Sequence, residues 1–208
     1  MQNYFKNTTF EFGLTKYESL PVDIGTEVVL CGRSNAGKST SLNKLTENSK
    51  LARTSKTPGR TTEINFFRVD AQLRLLDLPG YGYAKSQKKN ASMWDKFMSD
   101  YFSKRKSLKA AVLFMDIRHP LKELDLEIIE LCRKNSVDLI PVLTKSDKLS
   151  NQKVALAKKS VSSYLAIKEI INVSINDNNG FQRLRETIWS YLDSVSYTHL
   201  RAHETINH

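Results

Sequence analysis

The sequence predicts an α/β fold: a six-stranded, mostly parallel sheet with one antiparallel strand and helices on both faces. Apolar, β-rich runs alternate with helical patterns along the chain, which is typical of βαβ units. The second and third predicted strands are joined at Asp70-Ala71, a connection only long enough for an antiparallel hairpin. The 208 residues are 40% hydrophobic and 26% charged, which fits one domain with a sizeable core.

The predicted strands are short apolar runs bounded by turn residues. They are Glu27–Cys31, Ile64–Val69, Leu73–Asp77, Ala110–Asp116, Leu139–Thr144 and Glu169–Ser174. The predicted helices have apolar residues at three- and four-residue spacings. They are Lys38–Thr46, Ser92–Lys104, Leu121–Lys134, Asn151–Leu165 and Gly180–Asp193.

The apolar pattern of the last helix dissolves after Asp193. We therefore expect residues 1–194 to form the domain and residues 195–208 to be a disordered, non-native tail. The tail contains His199, His203 and His208. A metal site there is the alternative interpretation, because two of these histidines are four residues apart.

The formal charge is +10, and the basic residues are grouped. The groups lie within Lys50–Arg60, Lys85–Lys89 and Lys104–Lys109. Such groups indicate RNA or another polyanion as partner, the alternative being solvated surface.

Cys31 and Cys132 lie in apolar segments and are expected to be core residues rather than a disulfide or a metal pair. With no signal-peptide pattern and no membrane-spanning run, we expect a cytoplasmic protein without a membrane partner.

One stretch matches the phosphate-binding pattern G-x-x-x-x-G-K-[ST] between a predicted strand and a predicted helix. It consists of Gly32, Arg33, Ser34, Asn35, Ala36, Gly37, Lys38 and Ser39, and we include Thr40 in the binding segment. Backbone N–H groups of this loop would surround the phosphates at the helix N-terminus. Lys38 would neutralise β- and γ-phosphate oxygens, and the Ser39 hydroxyl would bind magnesium.

Two further segments are expected at the phosphates. The first ends the third strand and comprises Asp77, Leu78, Pro79 and Gly80. Asp77 would hold magnesium through a water molecule, and the Gly80 N–H would meet the γ-phosphate. The second is a polar loop, from which we assign Gly59, Arg60, Thr61, Thr62 and Glu63 to nucleotide binding. Thr61 is the candidate second magnesium ligand, with Thr62 as the alternative; Lys38, Thr61 and Gly80 are the candidate catalytic groups.

Base recognition is predicted after the fifth and sixth strands. The fifth is followed by Thr144, Lys145, Ser146 and Asp147. The Asp147 carboxylate can accept hydrogen bonds from guanine N1–H and N2–H₂, a pattern that adenine does not offer. Lys145 would lie along the base plane. Val173, Ser174 and Ile175 would supply a backbone N–H to guanine O6.

These five elements occur in one order, each at the carboxyl end of a strand or in the next loop, where open α/β sheets bind ligands. An ATP-binding P-loop protein would share the first and third of these elements but not Thr144–Asp147. The sequence therefore predicts a P-loop GTPase fold, a single G domain that binds GTP and GDP.

The complete set resembles the EngB (YihA/YsxC) family of ribosome-biogenesis GTPases, within the translation-factor-related small GTPases. Besides the motifs above, the resemblance rests on Lys56–Thr61, on the string from Asp77 to Ala84 and on the string from Asp116 to Pro120; it covers roughly Phe10 to Asp193. It implies a magnesium-dependent GTPase that assists assembly of the large ribosomal subunit, through rRNA and ribosomal proteins. It also implies that loss affects growth, cell division and septation. We expect a monomer.

Several positions bear on hydrolysis. Tyr81 stands where Ras-like proteins place the glutamine that orients water, so we expect slow intrinsic hydrolysis. We expect the ribosomal partner or potassium (K⁺) to stimulate turnover. Asn35 motivates the potassium hypothesis, and loop structure is its alternative role. Ile175 departs from the serine or alanine of many family members. His119 is interpreted as structural or RNA-facing rather than as a general base. The alternative function is an RNA-binding assembly scaffold with weak or vestigial GTPase activity.

Overall fold

The chain folds around one mixed β-sheet. The computed structural model describes residues 3–52, 63–79 and 88–204. Seven strands lie within these residues, one more than the sequence predicts. They are β1 (Thr9–Leu14), β2 (Thr26–Gly32), β3 (Ile64–Arg68), β4 (Leu73–Asp77), β5 (Leu108–Asp116), β6 (Asp138–Thr144) and β7 (Ile171–Asn172).

The strand order is β1-β3-β4-β2-β5-β6-β7. β3 runs antiparallel to both of its neighbours, whereas β4, β2, β5, β6 and β7 pair in parallel. The predicted hairpin between β3 and β4 is confirmed. Its turn is closed by Asp70, whose Oδ1 accepts hydrogen bonds from the backbone N–H groups of Gln72 and Leu73 at 2.7 and 2.8 Å. The mostly parallel sheet with one antiparallel strand is therefore confirmed, and the count of six is wrong.

The additional strand is β1, at one edge of the sheet. Its pairing with β3 shifts register between Phe10 and Phe12. As a result Phe10 packs against Phe67, with ring centroids 5.8 Å apart, while Phe12 packs against Phe66 at 4.7 Å. Phe66 and Phe67 belong to the core clusters on opposite faces of the sheet. This irregularity places neighbouring aromatic residues on different faces.

Five α-helices lie within the described residues. They are α1 (Lys38–Leu45), α2 (Lys88–Lys104), α3 (Glu123–Lys134), α4 (Asn151–Leu165) and α5 (Asn178–Glu204). α3 begins later than predicted, since Leu121 adopts a left-handed backbone with φ of 55°. β7 is much shorter than the predicted strand Glu169–Ser174. α5 continues past the predicted end at Asp193, so that end is wrong, while the division of the chain after Ser194 stays a prediction.

The helices cover both faces of the sheet, as predicted. Residues of α2, α3 and α4 pack on one face, where Phe97, Ile128 and Val161 are buried. Residues of α1 and α5 pack on the other face, including Leu42 and Leu184. Both cysteines are buried, and burial raises the pKa of the Cys132 thiol, so the core interpretation of the cysteines is confirmed. No helix among the described residues is long and apolar enough to cross a bilayer.

A buried ionic network anchors α2 to the amino end of β2. Glu27 is fully buried and accepts hydrogen bonds from the Tyr101 hydroxyl at 2.6 Å and from Arg105 Nη2 at 2.6 Å. Burial raises the pKa of Tyr101, which keeps its hydroxyl protonated as a donor. Because a buried carboxylate is destabilising without such partners, this network fixes the C-terminal half of α2 to the sheet. The network lies at the end of β2 opposite to the predicted site.

Candidate nucleotide site

The described residues of the predicted site lie at or near the carboxyl ends of the parallel strands. β2, β4, β5, β6 and β7 run in parallel, so their carboxyl ends point the same way. Leu30 of β2 pairs with Asp77 of β4, and Asp116 of β5 pairs with Thr144 of β6. The phosphate-binding and base-recognition segments therefore leave the sheet side by side.

The loop between β2 and α1 passes close to the sheet. Gly32 lies where an added Cβ would be 2.7 Å from the carbonyl oxygen of Phe114, so a larger residue would displace the loop. Gly37 precedes α1 with a φ of 92°, a left-handed conformation that favours glycine. Helix α1 then begins at Lys38, which leaves its first N–H groups directed at the loop. This arrangement suits an anion.

Lys38 and Asp77 meet at the base of this loop. Their residue surfaces are 9% and 7% exposed, and the Lys38 ammonium donates to Asp77 Oδ1. The contact joins the groups predicted to bind phosphate and magnesium, with Ser39 half-buried in the first turn of α1. A hydroxyl and a carboxylate are hard oxygen ligands of the kind magnesium prefers. The described residues thus fit the predicted metal, which Ser39 would bind directly and Asp77 through water.

Part of the predicted site lies outside the described residues: Gly59, Arg60, Thr61, Thr62 and Gly80. The predicted Thr61 ligand and the Gly80 N–H contact therefore remain predictions. The other residues assigned to nucleotide binding differ in their exposure to solvent. Leu78 and Pro79 are buried, and the Leu78 N–H donates to the Leu30 carbonyl at 3.2 Å, whereas Thr40 and Glu63 are exposed.

The base-recognition segment is tied directly to the phosphate loop. The Thr144 hydroxyl donates to the carbonyl oxygen of Ala36 at 2.6 Å. Lys145 adopts a left-handed backbone with φ of 60°, and its ammonium donates to the carbonyl oxygen of Asn35 at 2.7 Å. The last residue of β6 and the residue after it therefore hold two consecutive residues of the loop. The place of the Lys145 side chain along the base plane stays a prediction.

Asp147 lies beside the segment that follows β7. Its Oδ1 accepts a hydrogen bond from the Ser174 hydroxyl at 3.1 Å, and the Ser146 N–H donates to the Val173 carbonyl at 3.3 Å. Lys148 contacts Asp147 Oδ2 at 3.0 Å and lowers the pKa of the carboxyl. The structure brings the two predicted base-recognition segments together. Ile175 follows with its side chain exposed at the surface.

Sequence reasoning assigned no role to Asp116, yet its carboxylate joins two cations at the site. Oδ2 accepts from Lys145 Nζ at 2.9 Å, and Arg118 binds both carboxylate oxygens, at 2.9 and 2.6 Å. The Arg118 guanidinium, together with the Lys145 ammonium, holds the pKa of Asp116 well below its usual range despite burial. Asp116 is therefore a fixed negative charge. An acidic residue that ends a long apolar strand was the available signal.

The loop after β5 also supports the phosphate loop from a second side. The guanidinium of Arg33 donates to the backbone carbonyl of His119 at 2.7 Å. Its Nε lies 3.4 Å from Asp125 Oδ1, and Asp125 is 1% exposed at the start of α3. Burial raises the pKa of Asp125. His119 thus contacts Arg33 through its backbone carbonyl, which is consistent with a structural role for this residue.

Replacement of Asp116 by Ala should release Lys145 and weaken guanine-nucleotide binding about tenfold, since a hydrogen bond to a charged group is lost. Asp116→Asn keeps an acceptor and should have a smaller effect. The measurement is the dissociation rate of a fluorescent GDP analogue. Asp100→Ala is the matched control, because Asp100 also pairs with two cations, Lys96 and Lys104, but lies on α2. A dissociation rate in Asp116→Ala equal to that of the control would refute the assignment.

Comparisons with known proteins agree with this geometry. A family profile described as "50S ribosome-binding GTPase" matches residues 27–145, which include the loop after β2 and the segment after β6. A protein of Pasteurella multocida described as "Probable GTP-binding protein EngB" is 42% identical over 197 residues, or 93% of this chain and 96% of that protein. A protein of Shewanella baltica with the same description is 53% identical over 131 residues, 63% of this chain and 60% of its own length.

Solved structures share the fold. A crystal structure of "a probable GTP-binding protein engB" superposes with a TM-score of 0.65 at 22% identity, covering 81% of this chain and all of the other. The translation elongation factor SelB of Methanococcus maripaludis, in complex with a GTP analogue, gives a TM-score of 0.57 at 18% identity, covering 83% of this chain and 35% of the factor. The family profile and the sequence relatives together show that the chain belongs to the EngB family of GTP-binding GTPases.

Proposed function

We propose that this protein is a magnesium-dependent GTPase switch that assists assembly of the large ribosomal subunit. The observation that carries the proposal is the convergence of Lys38 and Asp77 with Lys145 and Asp147 at one sheet edge. One pair suits a triphosphate and its metal, and the other suits guanine. The matching family profile names the 50S subunit in its description, which supports a large-subunit partner.

Each residue then has a defined task. Lys38 binds β- and γ-phosphate oxygens, and the N–H groups at the start of α1 bind the anion without side chains. Ser39 and Thr61 would ligate magnesium, and Asp77 would hold it through water. Magnesium supplies charge neutralisation on the phosphates. The Gly80 N–H would contact the γ-phosphate, and this contact, like that of Thr61 with magnesium, would be made with GTP and lost with GDP.

The guanine base occupies the space between Lys145 and Asp147. The Asp147 carboxylate accepts from guanine N1–H and N2–H₂, and Ser174 fixes its orientation through the hydrogen bond to Oδ1. A backbone N–H within Val173–Ile175 binds O6. Adenine would leave the carboxylate without its donors, which disfavours ATP.

In the cell, we infer a monomeric cytoplasmic protein that contacts rRNA and ribosomal proteins of the large subunit. Family resemblance supports the further inference that its loss impairs growth, cell division and septation. An RNA-binding scaffold with vestigial GTPase activity is the alternative function. Turnover measured with purified large subunits separates the two, since the subunits would not stimulate the weak turnover of the scaffold.

Binding to large ribosomal subunits should depend on the bound nucleotide, because the contacts proposed for Thr61 and Gly80 need the γ-phosphate. Sedimentation with isolated large and small subunits, in a non-hydrolysable GTP analogue or in GDP, measures this dependence. We expect at least tenfold tighter binding of the GTP-analogue form to the large subunit, with little binding to the small subunit. Equal affinity in both nucleotide states would exclude gating by GTP.

Intrinsic turnover should be slow, because Tyr81 replaces the glutamine that orients the attacking water. Asn35 is exposed, and its carbonyl is held by Lys145, so its position in the phosphate loop is fixed. We propose that potassium bound there supplies the missing positive charge. Turnover should then rise several-fold in potassium over sodium at equal ionic strength, and Asn35→Ala should abolish the difference. The same rate in both salts would discard the potassium hypothesis.

A further inference from the structure

Helix α4 contributes little to the core. Val161 is its buried residue, and Val154, Ala157 and Leu165 pack only partly against the cluster on that face of the sheet. The opposite side of the helix, called here the outer face, is exposed along its length. It consists of Gln152, Lys153, Leu156, Lys159, Ser160, Ser163 and Tyr164. These positions follow the three- and four-residue spacing of one helix side.

Two large side chains project from this outer face into solvent. Leu156 is 61% exposed and Tyr164 is 54% exposed. They are eight residues apart, which is about 12 Å along a helix. A single exposed apolar residue is ordinary, but here an aromatic ring and an aliphatic side chain share one side of one helix with lysines. This combination suits contact with a partner that offers both negative charge and flat apolar surface.

The charge of α4 is entirely positive. The helix contains no acidic residue, and Lys153 and Lys159 are exposed on the outer face. Neither forms an ion pair with any described residue, in contrast to Lys96 and Lys104, which both pair with Asp100. Lysines without such ion pairs are available to an external anion. When they bind a polyanion, the counterions condensed on it are released into solution.

The groups of basic residues noted in the sequence are less available to an external anion, where the structure describes them. In the group Lys104–Lys109, Arg105 is 7% exposed and bound to Glu27, and Lys104 is paired with Asp100. Most of the group Lys50–Arg60 lies outside the described residues, as do Lys85 and its neighbours up to residue 87. Among the described surfaces, the outer face of α4 therefore combines unpaired lysines with an exposed aromatic ring.

We propose that the outer face of α4 is an RNA-binding surface. Lys153 and Lys159 contact backbone phosphates, and the Tyr164 ring stacks on an unpaired base, with Leu156 packing beside it. Stacking on exposed aromatic side chains is the general mode by which proteins hold single-stranded RNA. The assignment deepens the proposed function and rests on it, because the RNA in question is the rRNA of the large subunit.

The same observations fit a protein partner less well. The buried centres of protein interfaces are depleted in lysine, whereas the lysines of α4 flank Leu156 on its own helix side. A helix that docks its apolar side into a protein groove also needs a continuous apolar stripe, and here Ser160 separates Leu156 from Tyr164. Positive charge with an isolated aromatic ring favours RNA.

The test uses the full chain in the GTP-analogue state and measures its affinity for isolated large subunits and for protein-free large-subunit rRNA over a series of salt concentrations. Three variants are compared with the wild type: Lys153→Gln/Lys159→Gln, Tyr164→Ala and Tyr164→Phe. Lys96→Gln/Lys134→Gln is the matched control, since it removes the same charge from other helices. Thermal unfolding and GDP affinity establish that each variant is folded.

We expect the Lys153/Lys159 variant to bind both RNA targets roughly five- to tenfold more weakly and to lower the salt slope by about 1.5, as for two lost phosphate contacts. Tyr164→Ala should weaken binding to rRNA roughly tenfold, and Tyr164→Phe should restore it, because phenylalanine retains the stacking ring. The Lys96/Lys134 control should remain close to the wild type.

Three results would count against these assignments. Variants that bind both targets as the control does would overturn the RNA-binding role of α4. Variants that lose binding to large subunits yet bind protein-free rRNA normally would show that the face contacts a ribosomal protein instead. A wild-type protein that binds neither target would refute the large-subunit function itself, whatever the variants do.

Discussion

The nucleotide site depends on one ammonium group, that of Lys145. It donates to the carbonyl oxygen of Asn35 in the phosphate loop and to the carboxylate of Asp116 at the end of β5. It belongs to the same loop as Asp147, so it joins the segment predicted to bind phosphate to the segment predicted to recognise the base. Arg118 keeps Asp116 charged and oriented, which makes the Lys145 bridge a charge-assisted hydrogen bond rather than a neutral one. Among the described residues, the hydrogen bond from Thr144 to Ala36 is a second link between the two segments.

The sheet fixes this bridge through β2 and β5, which lie at its centre and are almost wholly buried. β2 carries the phosphate loop at its carboxyl end and the Glu27 network at its amino end. The network anchors the C-terminal half of α2 through Tyr101 and Arg105.

Much of this arrangement follows from local pattern in the sequence. The apolar strands that precede Gly32, end in Asp77 and precede Thr144 were predicted within one or two residues, because buried parallel strands are continuous apolar runs bounded by turns. β1 was missed, although Phe10, Phe12 and Leu14 alternate, because its register irregularity places Phe10 and Phe12 on different faces. Asp116, Arg118 and Glu27 escaped detection for a different reason. The bonds of Asp116 to Lys145 and of Glu27 to Arg105 join residues 29 and 78 positions apart, which no local spacing encodes. Arg118 binds Asp116 two positions away, and its role follows from that of Asp116.

The central claim is that one pocket combines a phosphate loop with a carboxylate that distinguishes guanine from adenine. Its most direct test is the equilibrium affinity of the purified protein for GDP and for ADP in the presence of magnesium, compared with that of Asp147→Asn. The account predicts that the wild type binds GDP at least a hundredfold more tightly than ADP, and that the variant loses most of its affinity for GDP. Similar affinities of the wild type for the two nucleotides, or no affinity for either, would contradict it.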